Sequence, residues 1–164
     1  MKEIPLTQGK FAIVDDADYE ELSKYKWCAL YSKDMSSFYA GRESRKKEGE
    51  ICTIRMRRQI LGLEYGDPRH GDHQNHNTLD NRRSNIRICT SRQNSMNRKP
   101  DQNTSSKYKG VSWENSRNKW QAHITIKGKK KHLGYFQTEE LAALTYNEAA
   151  KKYFKEFAYL NVIV

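Results

Sequence analysis

No run of the roughly 20 apolar residues that a helical membrane span requires occurs in these 164 residues. The N-terminus, Met1 to Pro5, lacks the apolar core of a secretory signal. Cysteine is scarce: Cys28, Cys52 and Cys89 stand far apart and form no CxxC pair. That spacing argues against a structural zinc site or a disulfide framework and points to a reducing compartment. Apolar residues make up only 36% of the chain against 30% charged, so small cores or an extended shape are expected in place of one large globule. There is no repeat of fixed period. Disorder is excluded in turn, because 3 Trp, 10 Tyr and 5 Phe are present. The expectation is a soluble, intracellular, cytoplasmic protein with no membrane partner.

The net charge is +10, and its placement is more telling than its size. Residues 1–54 are close to neutral, and so are residues 133–164. The excess lies in residues 55–132, which hold 18 Lys and Arg against 6 Asp and Glu. Such a stretch attracts polyphosphates and displaces their counterions. Aromatic residues interleaved with the charge favour nucleic acid over a merely solvated surface.

Periodicity predicts a strand over 10–14 and a helix over roughly 17–26 capped by Asp16. Strands follow at 27–32, 37–42 and 51–56, with a charged turn over 45–50 and a short helix over 57–62. The stretch 66–96 is crowded with Asp, His, Asn and Arg, and a helix is expected over 91–98. Residues 97–106 read as a polar linker. Three strands are predicted at 108–114, 119–127 and 130–136, with Gly128 in the second turn. A helix capped by Thr138 then runs to about Phe154, with Leu141, Leu144, Tyr146, Ala149 and Tyr153 partly on one face.

The chemistry concentrates between Gly71 and Asn94. Hydrolysing a phosphodiester needs a base for water and a cation for the developing charge. A histidine titrating near neutrality suits the first role. A carboxylate with a neutral oxygen donor and open positions suits a hard divalent ion. Asp72 and His73 are adjacent, so on a strand they point to opposite sides, and a bend or bulge is required if both act in one site. The basic run Arg82, Arg83, Arg87, Arg92, Arg98 and Lys99 fits any surface facing nucleic acid.

The stretch 72–97 resembles the HNH endonucleases, in particular the small homing-type enzymes of phages and mobile introns. The resemblance rests on Asp72-His73, on Leu79-Asp80-Asn81-Arg82-Arg83-Ser84-Asn85-Ile86-Arg87 and on Thr90-Ser91-Arg92-Gln93-Asn94. It implies a ββα-metal fold holding one divalent cation, Mg²⁺ or Mn²⁺. It makes His73 the general base, Asp72 and Asn94 the metal ligands, and Asn85 the asparagine that fixes the loop and the histidine, with Asn81 as rival. Arg82, Arg83 and Arg87 are expected to meet DNA. Two departures stand out. His76 occupies a place where the family often has glycine, which makes it an alternative base or ligand. Arg57-Arg58 stands where a His-Arg pair often precedes the motif.

The segment 105–161 resembles the AP2 DNA-binding domain. Lys107 to Trp113, Lys119 to Ile124, His132 to Phe136, the helix from Thr138 to Ala150, and Leu160-Asn161 carry the likeness. It implies a three-stranded sheet in the major groove with a helix packed behind. Lys109, Ser112, Glu114, Thr125, Lys130 and His132 match the groove-facing positions. Ser, Thr and His in place of the Arg and Trp of plant members remove bidentate guanine readers, so strong sequence readout is not expected. Trp120, Ile124, Leu133 and Phe136 are expected in the core.

The sequence therefore predicts an α+β chain. A small N-terminal α+β region leads into a ββα-metal (HNH) nuclease core, with residues 1–99 as one domain. A linker over 100–106 and an AP2-like domain over 107–164 follow. The expected partner is double-stranded DNA, with a monomer favoured. The alternatives are a non-catalytic, sequence-specific DNA-binding regulator and an RNA-binding protein.

Overall fold

A computed structural model of the protein describes residues 1–33, 36–45, 49–101 and 104–163. They divide into two units, Met1–Ser91 and Arg92–Val164, each with its own core. Both are mixed, with small antiparallel sheets and short helices, as an α+β chain requires. No helix among the described residues is long and apolar enough to cross a membrane.

In the first unit, Gln8 and Gly9 adopt positive φ (62° and 64°), making a tight turn that pairs β1 (Lys2–Pro5) with β2 (Phe11–Val14). β1 is not evident in the sequence, because four residues that include a proline carry almost no pattern. The helix α1 (Asp16–Leu22) is shorter than its periodicity suggests, and its N-cap is Asp15, not Asp16. The Asp15 carboxylate leaves the helix uncapped because it accepts the Arg83 backbone N–H at 2.7 Å. A meander follows: β3 (Cys28–Ser32), β4 (Ser37–Arg45) and β5 (Ile51–Arg55), in order β3-β4-β5. The predicted turn over 45–50 lies partly outside the described residues. The short helix α2 (Met56–Ile60) leaves β5 directly and buries Met56 and Ile60. Ile4, Ala12, Val14, Leu22, Trp27 and Met56 form the middle of this core. β6 (His70–His73) and β7 (Ile86–Cys89) make a separate two-stranded ribbon. α3 (Ser91–Asn97) follows, and the boundary between units falls just after its first residue.

In the second unit, β8 (Val111–Glu114), β9 (Lys119–Ile126) and β10 (Lys129–Phe136) form an antiparallel sheet with β9 central. A register shift between His132 and Gly134 lets Leu133 pack inward. α4 (Glu139–Phe154) covers one face, and its N-cap Thr138 accepts from the Leu141 N–H as expected. Trp120, Ile124, Leu133 and Phe136 join the core, as the sequence suggests. The buried face of α4 differs from the one expected. Leu141 and Leu144 are about half exposed, while Ala142, Ala143, Tyr146, Asn147 and Ala150 are buried. Small side chains let the helix lie close to the sheet, and the leucines are left outside. Gly110 shows how close: at φ 75° a Cβ there would stand 2.1 Å from the Tyr146 ring and 2.6 Å from the His123 carbonyl oxygen.

The polar stretch expected as a linker is tied into this unit where it is described. Ser106 is buried and its hydroxyl donates to Glu139, while Ser105 Oγ accepts the Trp113 N–H. Asn147 and Asn161 exchange two hydrogen bonds, and Asn161 also closes on both backbone groups of Lys109.

Candidate active site

β6 and β7 run in regular register, Asp72 opposite Arg87 and His73 opposite Ile86. No bulge interrupts this register, and the bend that a shared site calls for falls at the end of the strand. His73 is the last residue of β6, where the chain turns into the loop 74–85. Both residues are buried, each 6% exposed. Asp72 accepts from Arg87 Nε and Nη2 through a single oxygen, at 3.0 and 2.8 Å, and this pair is itself largely buried.

The loop between the strands holds its shape with its own side chains. Asn85 Nδ2 donates to the Asp80 carbonyl at 2.7 Å and Asn85 Oδ1 accepts the Asn75 N–H at 3.0 Å. Asn75 donates to the Asp80 carboxylate, which Arg82 grips through two further bonds of 2.8 and 2.7 Å. Arg83 spans to α1, where Asp18 takes its guanidinium. His76 lies at φ 61°, in the left-handed region that glycine enters at no steric cost.

Asn85 thus fixes the loop, but the residue that reaches the histidine is Asn81, with Oδ1 at 3.2 Å from His73 Nε2. Asn81 Nδ2 is committed to the Leu79 carbonyl, so its oxygen faces the ring. That assignment puts the ring proton on Nε2 and makes Nδ1 the basic nitrogen. Burial, followed by the charge of Arg57, pushes the imidazole down to about 4. His73 is therefore neutral at physiological pH.

Of three further residues around His73, Tyr39 and Arg55 escaped the sequence reading and Arg57 entered it only as a departure from the motif. Tyr39 on β4 lies with its ring centroid 6.2 Å from the imidazole. Arg55 and Arg57 both stack on Tyr39, at 4.7 and 4.8 Å from its centroid. The available signal was the Arg57-Arg58 departure. Arg58 has a structural part, its guanidinium holding the carbonyls of Glu64, Asp67 and Arg69 in the loop that leads to β6.

Asn94 sits exposed on α3, among the residues counted with the second unit. No group of three or more His, Cys, Asp or Glu able to hold a metal occurs among the described residues. One buried carboxylate and neutral oxygens suit a hard cation that keeps water and arrives with phosphate, as Mg²⁺ does; they do not suit a resident structural ion.

In the second unit, Ser112, Glu114, Thr125, Lys130 and His132 share the sheet face turned away from α4. Their cross-strand partners place Gln121, Lys119 and His123 there too. Lys109 does not join them. Its ammonium donates to the carbonyls of Ser95, Met96 and Arg98, and burial, then the charge of Arg98, brings it down to about 8.

A neutral, buried imidazole oriented by an amide, with a carboxylate next to it in the same strand and arginines nearby, is the polar centre of the first unit of this α+β protein. No family model matches the chain. It is 32% identical over 160 residues to an uncharacterized HNH endonuclease of Acanthamoeba polyphaga mimivirus, covering 95% of this chain and 77% of that one. It is also 31% identical over 75 residues to Protein 3.8 of Escherichia phage T7, covering 46% of this chain and 62% of that protein. The chain belongs to the HNH endonuclease family.

Proposed function

We propose that this protein is a metal-dependent DNA endonuclease with His73 as general base, and that its second unit is an AP2-like module that binds double-stranded DNA. The observation that carries the reading is the state of His73: buried, uncharged at neutral pH and oriented by Asn81. In this reading His73 Nδ1 takes a proton from water, the hydroxyl oxygen attacks phosphorus, and the bond to the leaving alkoxide breaks. An arriving phosphate brings negative charge near the ring and strengthens the base at the moment of use. Asp72 would hold a single Mg²⁺ or Mn²⁺, with Asn94 the second donor that the motif assigns. Compensation of the charge developing on phosphate and leaving oxygen is what such an ion supplies when bound.

Arg87 orients Asp72, and Asn85 keeps the loop in the shape that presents Asn81. Arg82 and Arg83 are engaged by Asp80 and Asp18, so their role toward DNA is to carry positive charge from fixed positions. In the second unit, Ser112, Glu114, Thr125, Lys130 and His132 would meet the major groove, where a sheet fits and presents alternate side chains.

The test is plasmid cleavage with Mg²⁺, with Mn²⁺ and with excess EDTA. Cleavage with either ion, stopped by EDTA and lost in His73→Ala, is expected. Binding to duplex DNA without cleavage under any of these conditions would identify a non-catalytic DNA-binding regulator instead.

A further inference from the structure

Arg57 Nε and Arg55 Nη1 are buried and have no hydrogen-bond partner. Among the described residues neither guanidinium takes part in an ion pair; Asp72, a carboxylate near Arg57, is already engaged by Arg87. The two cations press on each other. Burial, and next the charge of Arg55, brings Arg57 down to about 10, a large displacement for an arginine. Their common surface is the Tyr39 ring, whose other neighbour is the His73 imidazole. The stem of Arg57 is fixed from behind: a Cβ on Gly71 would lie 3.1 Å from its Cδ. Arg55 ends β5, Arg57 lies in the first turn of α2 and His73 ends β6, so three elements hold this group in place.

Buried charges without partners are costly, and proteins ordinarily pair or remove them. Two guanidinium groups held in place, sharing one aromatic wall and lacking a counter-ion, form a preorganised receptor for an oxyanion that presents several acceptor oxygens. Both residues are only partly buried as a whole. We infer that Arg55 and Arg57, walled by Tyr39, bind a phosphate of the DNA backbone beside His73, and that Arg57 is a catalytic residue touching the phosphate attacked. The inference rests on the endonuclease reading for the identity of the anion, but the pocket itself can be tested without cleavage.

The probe is inorganic phosphate, added to the metal-free full-length protein at constant ionic strength against chloride. Phosphate is expected to raise the melting temperature of the wild type by several degrees more than chloride does. Arg57→Met and Arg55→Met are expected to lose that difference, while His73→Ala keeps it. Arg57→Lys and Arg55→Lys serve the same purpose where a methionine variant does not fold, and should show a smaller phosphate response than wild type. An equal phosphate response in wild type and all these variants, or none in wild type, overturns the pocket. In single-turnover cleavage, Arg57→Met should be slower by roughly 10²–10³-fold, the usual loss of a donor to a developing oxyanion. Arg57→Met cutting at the wild-type rate overturns the catalytic part of the inference. A wild type that binds phosphate but leaves DNA uncut with Mg²⁺ and with Mn²⁺ sinks the endonuclease reading and leaves the pocket standing.

Discussion

His73 shows how one side chain links stability to chemistry. An unfolded histidine titrates near 6.5, and here the imidazole is held down to about 4. Between those values the unfolded chain binds more protons than the folded one, so stability rises with pH across the window and is lost as pH falls from about 6.5 toward 4. In metal-free protein, His73→Gln is expected to flatten the plot of unfolding free energy against pH there, by up to about 1.4 kcal/mol per unit. Parallel plots for the two proteins would mean that His73 is not neutralised by folding. For catalysis, His73→Ala should cost about 10²–10⁴-fold in rate with little change in DNA affinity. The two asparagines should separate. Asn85→Ala removes bonds that hold the loop and should lower stability by about 1–3 kcal/mol. Asn81→Ala should instead slow cleavage while the melting temperature moves less. The motif made both residues visible, but not which one touches the imidazole. That depends on a fold of the loop set by Asp80, Asn75 and the positive φ of His76, none of which periodicity can encode.

Among the elements, the strands β2 to β5 and β8 to β10 were legible from their apolar patterning, and α4 because Thr138 and the acidic first turn announce it. The face of α4 was not legible. Leucines outweigh alanines in any apolar count, yet the packing distance selects alanine. Ala143→Leu, at a fully buried position, should destabilise the protein by about 1–3 kcal/mol through overpacking. Leu144→Ala, about half exposed, should cost under about 0.5 kcal/mol. Thermal unfolding of the two variants distinguishes this face from the expected one. Lys109 was misplaced for a related reason, since a lysine in a basic stretch reads as a DNA contact. Its three carbonyl acceptors on 95–98 are a structural task. Lys109→Met should cost about 2 kcal/mol and leave the salt dependence of DNA binding unchanged, whereas Lys130→Gln should make the log–log salt slope shallower by about 0.9.

For the whole molecule, two small cores replace one large one, as 36% apolar residues implied. The positive excess over residues 55–132 runs from the end of the first unit into the sheet of the second. Its placement was readable residue by residue, but the fixed ion pairs were not. Asp80, Asp18 and Asp72 each hold one arginine of the 82–87 run, so much of that charge is already in position before any substrate arrives. Arg55 and Arg57 are not held in this way, and this bears on how the sequence would drift. A population of variants selected only for heat resistance, with no nucleic acid to act on, should discard these two arginines early, because an apolar residue in either place relieves an unpaired buried charge. Selection for DNA turnover should retain them at the expense of thermal tolerance. The frequency of arginine at positions 55 and 57 in two such selections would then record which demand shaped the chain.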